Sequence, residues 1–136
     1  MESMSQSQTT RFITRLNRQT KEGEVSWVTN HRRNIPLSSS EVLVGNTYSA
    51  EVNSRELLLY RFQARSYYDE DAYHWIDGYR LEMIDDKGNS EWTFPGDNSI
   101  YDLYETVRFV TSNVGSFISD YIKDEKELPE DPFSNL

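Results

Sequence analysis

The residues best able to do chemistry are gathered in one acidic run, Asp69-Glu70-Asp71, followed by His74. Oxygen ligands so closely spaced can wrap a hard cation, and a bound metal would make a hydrolase of the site. The run lacks the Asp-x-Asp-x-Asp-Gly frame and the distal glutamate of a calcium loop. If alternate residues from Tyr73 to Met83 face a core, His74 faces outward, away from any built cavity. His31 and His74 are the two histidines and so the two unperturbed side chains that titrate near neutrality. Ser38-Ser39-Ser40 offers hydroxyls from a loop, without the Gly-x-Ser-x-Gly elbow that strains a nucleophile into place. Six glycines are scattered singly, so no loop cradles a phosphate. With no cysteine there is no thiolate nucleophile or zinc ligand. The expectation is a non-enzymatic protein with no catalytic residue, metal or cofactor, a metal-dependent hydrolase at Asp69, Glu70, Asp71 and His74 being a third reading.

Recognition chemistry has more to work with. Nine tyrosines and three tryptophans exceed what a core of this size needs, and these residue types carry interface hot spots. Tyr67, Tyr68, Tyr73 and Trp75 flank the acidic tip, so together with Asp69 and Asp71 they are the candidate partner-binding residues, aromatic anchors beside a charge for a basic partner. A second reading uses the basic residues Arg11, Arg15, Arg18, Arg32 and Arg33, with Lys21, Arg61 and Arg65, to hold phosphates as a nucleic-acid-associated accessory protein. Near the end, Pro129-Glu130-Asp131-Pro132-Phe133 looks like the acidic Pro-Phe termini by which bacterial single-stranded-DNA-binding proteins recruit partners, although Ser134-Asn135-Leu136 follow here.

The frame for these residues is one domain. A chain of 136 residues, 27% charged and 13% aromatic, should bury about two thirds of its unfolded surface. The net charge is −9, unevenly placed: residues 1–40 carry six Lys and Arg against three acids, residues 69–136 five against seventeen. That balance argues against nucleic acid unless the basic end points outward. Residues 1–8 are polar, with neither the basic nor the apolar region of a signal peptide. Together with the absence of cysteine they lead to the expectation of a cytoplasmic protein, with disordered residues 1–8, a domain over 9–122 and an acidic disordered tail over 123–136.

The apolar pattern divides the domain into elements. A short helix is expected from Thr9 or Thr10 to Lys21, with Phe12, Ile13 and Leu16 inward and Gly23 as its left-handed cap. Strands are expected over Glu24–Thr29, Glu41–Val52, Arg55–Tyr68, Tyr73–Ile84 and Ser90–Phe94, with a long loop over 30–40, a turn at Asn53-Ser54 and a hairpin turn at 85–89. From Ser99 to Ile122 the apolar steps of three and four read as one helix, roughly 36 Å long. Ser99 and Asp102 read as its capping box. Its acids and Arg108 rule out a membrane span. The expected fold is therefore α+β: a short N-terminal helix, a five-stranded antiparallel meander and a long C-terminal helix packed on one face.

Phe12 and Leu16, then Thr20, Gly23, Val25 and Trp27 in the pattern T-x-x-G-x-V-x-W, are followed by Asp85–Gly88, Trp92–Phe94 and Leu103-Tyr104. In these motifs, over roughly residues 10–120, the chain resembles small uncharacterised bacterial proteins. The resemblance implies the fold and transfers no catalytic site. The functional expectation is a small protein-protein interaction module of a bacterial or phage-encoded system, its partner unnamed. Trp27, Phe62, Tyr79, Leu81, Val107, Val110 and Phe117 are expected to form the core. A homodimer is expected through a second sheet face carrying Leu57, Leu59 and Val44, with no membrane involved.

Overall fold

The computed structural model describes residues 6–30, 35 and 37–123. Expectations on His31, Arg32, Arg33 and the tail from 124 on lie outside the described residues. The fold is α+β: helix α1 (Gln6–Lys21), strands β1 (Val28–Asn30), β2 (Glu41–Val52), β3 (Arg55–Tyr67), β4 (Tyr73–Ile84) and β5 (Ser90–Thr93), then helices α2 (Asn98–Ser112) and α3 (Val114–Ile122). The strands pair in chain order as an antiparallel meander. Tight turns enforce that order. Asn53 and Ser54 both take positive φ, 52° and 63°, the geometry of a two-residue hairpin turn that matches strand twist. At the β4–β5 turn the Asp85 carboxylate accepts from the backbone N–H of Lys87 (2.9 Å) and Asn89 (2.8 Å), and Gly88 supplies φ +86°.

The T-x-x-G-x-V-x-W motif is a clasp between α1 and the sheet. The Thr20 hydroxyl donates back to the Leu16 carbonyl (2.8 Å) and accepts from the Trp27 indole N–H (3.0 Å), both bonds buried. Gly23 (φ +80°) turns the chain so that Trp27 can return under the helix. This return takes up residues expected in the first strand, which is shorter than its apolar pattern suggested. Helix α1 begins at Gln6, so residues 6–8 are helical rather than disordered.

Helices α1 and α2 lie together on one face of the sheet. Ile13 and Leu16, with Ile100, Leu103, Tyr104 and Val107, close over Tyr48, Ala50, Leu57, Leu59 and Leu81. The Thr106 hydroxyl donates to Asn17 (2.8 Å) and Thr10 to Asp97 (2.8 Å), fixing the helices to each other. Asp97, not Ser99, caps α2, accepting from the Ser99 N–H at 2.8 Å. Burial pushes the Asp97 carboxyl up, but hydrogen bonds from Ser99 and Thr10 outweigh this and hold it below its ordinary range.

Two expectations about the core are corrected. Leu57, Leu59 and Val44 do not form an open second face: Leu57 and Leu59 are sealed beneath the helices, and Val44, opposite Arg61, shares their side of the sheet. The reverse face holds a second cluster, Ile35, Leu58, Tyr60 and Ile84, with Leu37, Leu43 and Phe62 against it, so Ile35 and Leu37 help to cover it. Phe62 therefore belongs to the opposite side from Trp27, Leu81 and Val107. Nor is the C-terminal helix continuous. Asn113 adopts a left-handed conformation (φ 56°, ψ 26°) and splits it into α2 and α3. Within α3 no side chain is buried, and Val110 (41% exposed) and Phe117 (69%) are solvent-facing.

Candidate recognition surface on the β3–β4 ribbon

Strand β2 pairs with β3 only as far as Ala64, and β5 reaches only the far end of β4. Among the described residues, the two strands past Arg65 and Trp75 pair only with each other, in register Arg65–Trp75, Ser66–His74 and Tyr67–Tyr73. An isolated two-stranded ribbon is marginal in water, so its cross-strand side chains must hold it. On one face the Tyr67 and Tyr73 rings lie 5.3 Å apart, and Tyr73 meets Trp75 edge-on at 5.6 Å. The Arg65 guanidinium sits over both Tyr73 (5.5 Å) and Trp75 (5.8 Å). Its Nη2 is anchored on the Ser39 carbonyl at 2.9 Å. On the other face Tyr68 stacks on His74 at 5.8 Å. Tyr67, Tyr68, Tyr73 and Trp75 all remain exposed.

The structure thus brings Tyr67, Tyr73 and Trp75 together, adds Arg65, and sends Tyr68 with His74 to the reverse side. Asp69 and Asp71 sit at the tip, where the Asp69 carbonyl accepts from the Ala72 N–H and its carboxylate from the Glu70 N–H (2.7 Å). Among the described residues no group of three or more His, Asp or Glu is placed to hold a metal ion.

Between this ribbon and the helical core lies a polar belt. Arg61 pairs with Asp77 at 2.9 Å and Gln63 donates to the same oxygen at 3.1 Å. The Arg61 bond, then that from Gln63, holds the Asp77 carboxyl below its ordinary range. Beside the belt, a bulge in β2 opens a cleft of about 370 Å³ lined by Gly45, Asn46, Tyr48, Arg61, Tyr104 and Arg108 among others. Gly45 takes φ +73° there, and the Tyr104 hydroxyl donates to the Asn46 carbonyl at 3.2 Å. The C-terminal end of α2, the negative end of its dipole, reaches this cleft through Thr111 and Ser112. That field offsets the two arginines for an anion.

On the reverse face Arg80 pairs with Glu41 (3.0 Å), lies 4.2 Å above the Phe62 ring centre and reaches the Tyr60 hydroxyl. Burial, partly offset by the Arg80 hydrogen bond, pushes the fully buried Tyr60 up to about 12. Its hydroxyl accepts from Arg80 (3.4 Å) and donates to the Glu82 carboxylate (3.2 Å), bridging the two. Sequence reasoning missed this cluster because its members come from three strands, and pairing register alone brings them together.

Arg11, Arg15 and Arg18 occupy successive turns of one exposed stripe of α1, against a groove of about 570 Å³ that also includes Phe12. No protein-family model, curated protein or solved structure matches the chain. Among the described residues no helix is long and apolar enough to cross a membrane.

Proposed function

We propose that this protein is a non-enzymatic protein-recognition module whose binding surface is the β3–β4 ribbon, working in the cytoplasm of a bacterial or phage-encoded system. The observation that carries the reading is the convergence of Tyr67, Tyr73 and Trp75 with Arg65 on one face of a ribbon that projects past its neighbours. Tyr, Trp and Arg dominate interface energetics because each buries a large rigid surface while keeping a polar handle. Rings already held by their neighbours lose little rotamer entropy when a partner covers them. Asp69, Glu70 and Asp71 at the tip favour a partner with basic residues at the rim.

The Arg11, Arg15 and Arg18 stripe favours the second reading, nucleic-acid association through α1. One experiment separates the two. The tagged full-length protein is passed through nuclease-treated and untreated lysate, alongside Trp75→Ala and Arg15→Ala. Protein recognition by the ribbon predicts one specifically retained protein, insensitive to nuclease and lost with Trp75→Ala. Retention abolished by nuclease and by Arg15→Ala, with Trp75→Ala unaffected, would replace it by the nucleic-acid reading.

A further inference from the structure

We propose that α3 is a self-association helix, whose occupant is α3 of a second copy of this chain. The sequence of α3 places Val114, Phe117, Ile118, Tyr121 and Ile122 at steps of three and four, one apolar stripe, with Ser116, Ser119, Asp120 and Lys123 opposite. An amphipathic stripe of this kind forms to be covered, yet none of its side chains is buried, and Tyr121 is 74% exposed. Phe109 and Val110 at the end of α2 are exposed too, and Phe109 shares a groove with Val114 and Phe117.

A membrane surface is a poor occupant. Interfacial helices carry Lys and Arg on the polar face, whereas this one carries Asp120 and a single Lys123 on a chain of net charge −9. A second copy fits on area and on shape. The exposed parts of Phe109, Val110, Phe117, Ile118, Tyr121 and Ile122 amount to roughly 700 Å² per protomer, about 1,400 Å² in a closed pair, within the range of stable interfaces. The surface also holds both a knob and a hole. Where α2 meets α3 there is a groove of about 560 Å³ lined by Glu105, Arg108, Phe109, Ser112, Val114 and Phe117. Gly115 lies beside the groove residue Phe109, whose Cζ is the nearest atom to a side chain built there, at 3.7 Å. With a two-fold axis beside Ile118, antiparallel helices set position 114 against 122 and position 115 against 121. Tyr121 of the partner subunit then lies over Gly115 and enters the groove, and the reverse contact is identical, as closed two-fold pairing requires. The left-handed Asn113 ends α2 and starts α3 anew, and the ribbon residues Tyr67, Tyr73 and Trp75 of the proposed function are themselves exposed.

Light scattering on the full chain, with the variants Ile118→Asp and Ile118→Cys, tests this. The native sequence has no cysteine, so a single introduced thiol reports its own neighbour. The expected results are a native mass of twice 16.0 kDa at micromolar concentrations, a monomer for Ile118→Asp with its circular dichroism intact, and rapid disulfide dimer formation for Ile118→Cys but not for Asp86→Cys at the β4–β5 turn. A native monomer at every concentration, a dimer that survives Ile118→Asp, or recovery of the monomeric native protein on phospholipid vesicles would each overturn the proposal. Trp75→Ala leaves this dimer in place, so failure of ribbon recognition and failure of α3 pairing are read separately.

Discussion

Replacing Gly78 with alanine sets two effects of opposite sign against each other. Gly78 lies in β4 opposite Phe62, and its φ is not positive, so alanine meets no backbone strain there. In an open strand Gly→Ala stabilises by about 0.4–1 kcal/mol, because the unfolded chain loses freedom. Here a Cβ would stand 2.3 Å from Phe62 Cζ and 2.7 Å from both Cε atoms. The ring cannot slide away cheaply, since Arg80 sits 4.2 Å above its centre and Tyr60 packs against it at 6.5 Å. Overpacking of this kind costs about 1–3 kcal/mol, and displacing the ring forfeits roughly 0.5–1 kcal/mol more of cation–π attraction. The net expectation for Gly78→Ala is about 1–3 kcal/mol of destabilisation, a fall in Tm of roughly 4 °C per kcal/mol for a domain of this size. In a Phe62→Ala background the same change should be neutral or stabilising, so the double-mutant cycle shows a coupling of at least about 1 kcal/mol. Urea and thermal melts followed by circular dichroism measure all four proteins. A Gly78→Ala protein as stable as the native one, or equally destabilised in both backgrounds, would refute the packing account.

Three further outcomes follow from the same structure. Val107→Asp buries a charge at a fully enclosed position and should abolish cooperative unfolding, whereas Val110→Asp, at a 41% exposed site one turn on, should keep it; thermal melts of the two decide. Arg80, by its hydrogen bond above all, holds the Glu41 carboxyl below its ordinary 4.5. The stability from this pair is therefore complete above about pH 4.5 and lost as pH falls through the lowered value. Glu41→Gln should be less stable at pH 7 by roughly 1–3 kcal/mol and should converge on the native protein in acid, as read by denaturant titrations at several pH values. Thr20→Val leaves the Trp27 indole N–H without its buried acceptor, and should cost about 1–3 kcal/mol in a urea melt and alter the tryptophan emission.

Local chemistry in the sequence determined the elements and their order. Asn53-Ser54 and the Asp85–Asn89 turn each close a hairpin by short-range hydrogen bonding and positive φ, and alternation over Arg55–Tyr67 and Tyr73–Ile84 allows one register that buries Leu57, Leu59 and Leu81 together. The aromatic candidates around the acidic tip were legible for the same reason: residues flanking a hairpin must face each other. Which apolar residues end up buried was not legible, because periodicity says that residues share a face and nothing about what reaches that face. Val107 and Phe117 belong to the same run of threes and fours, yet one is sealed against Leu59 and the other stands in solvent, because α2 ends where the sheet's apolar rows give way to Arg61 and Asp77. Asn113 makes the break possible, since asparagine takes the left-handed conformation at small cost, but only packing selects that state over a straight helix. In the same way the alternation in β3 separated Leu57 and Leu59 from Leu58, Tyr60 and Phe62 without saying which row the helices would cover. That choice was made by the clasp from Thr20 to Trp27 and by the tie from Thr10 to Asp97, contacts 7 and 87 residues apart in the chain, which bring both helices to one side.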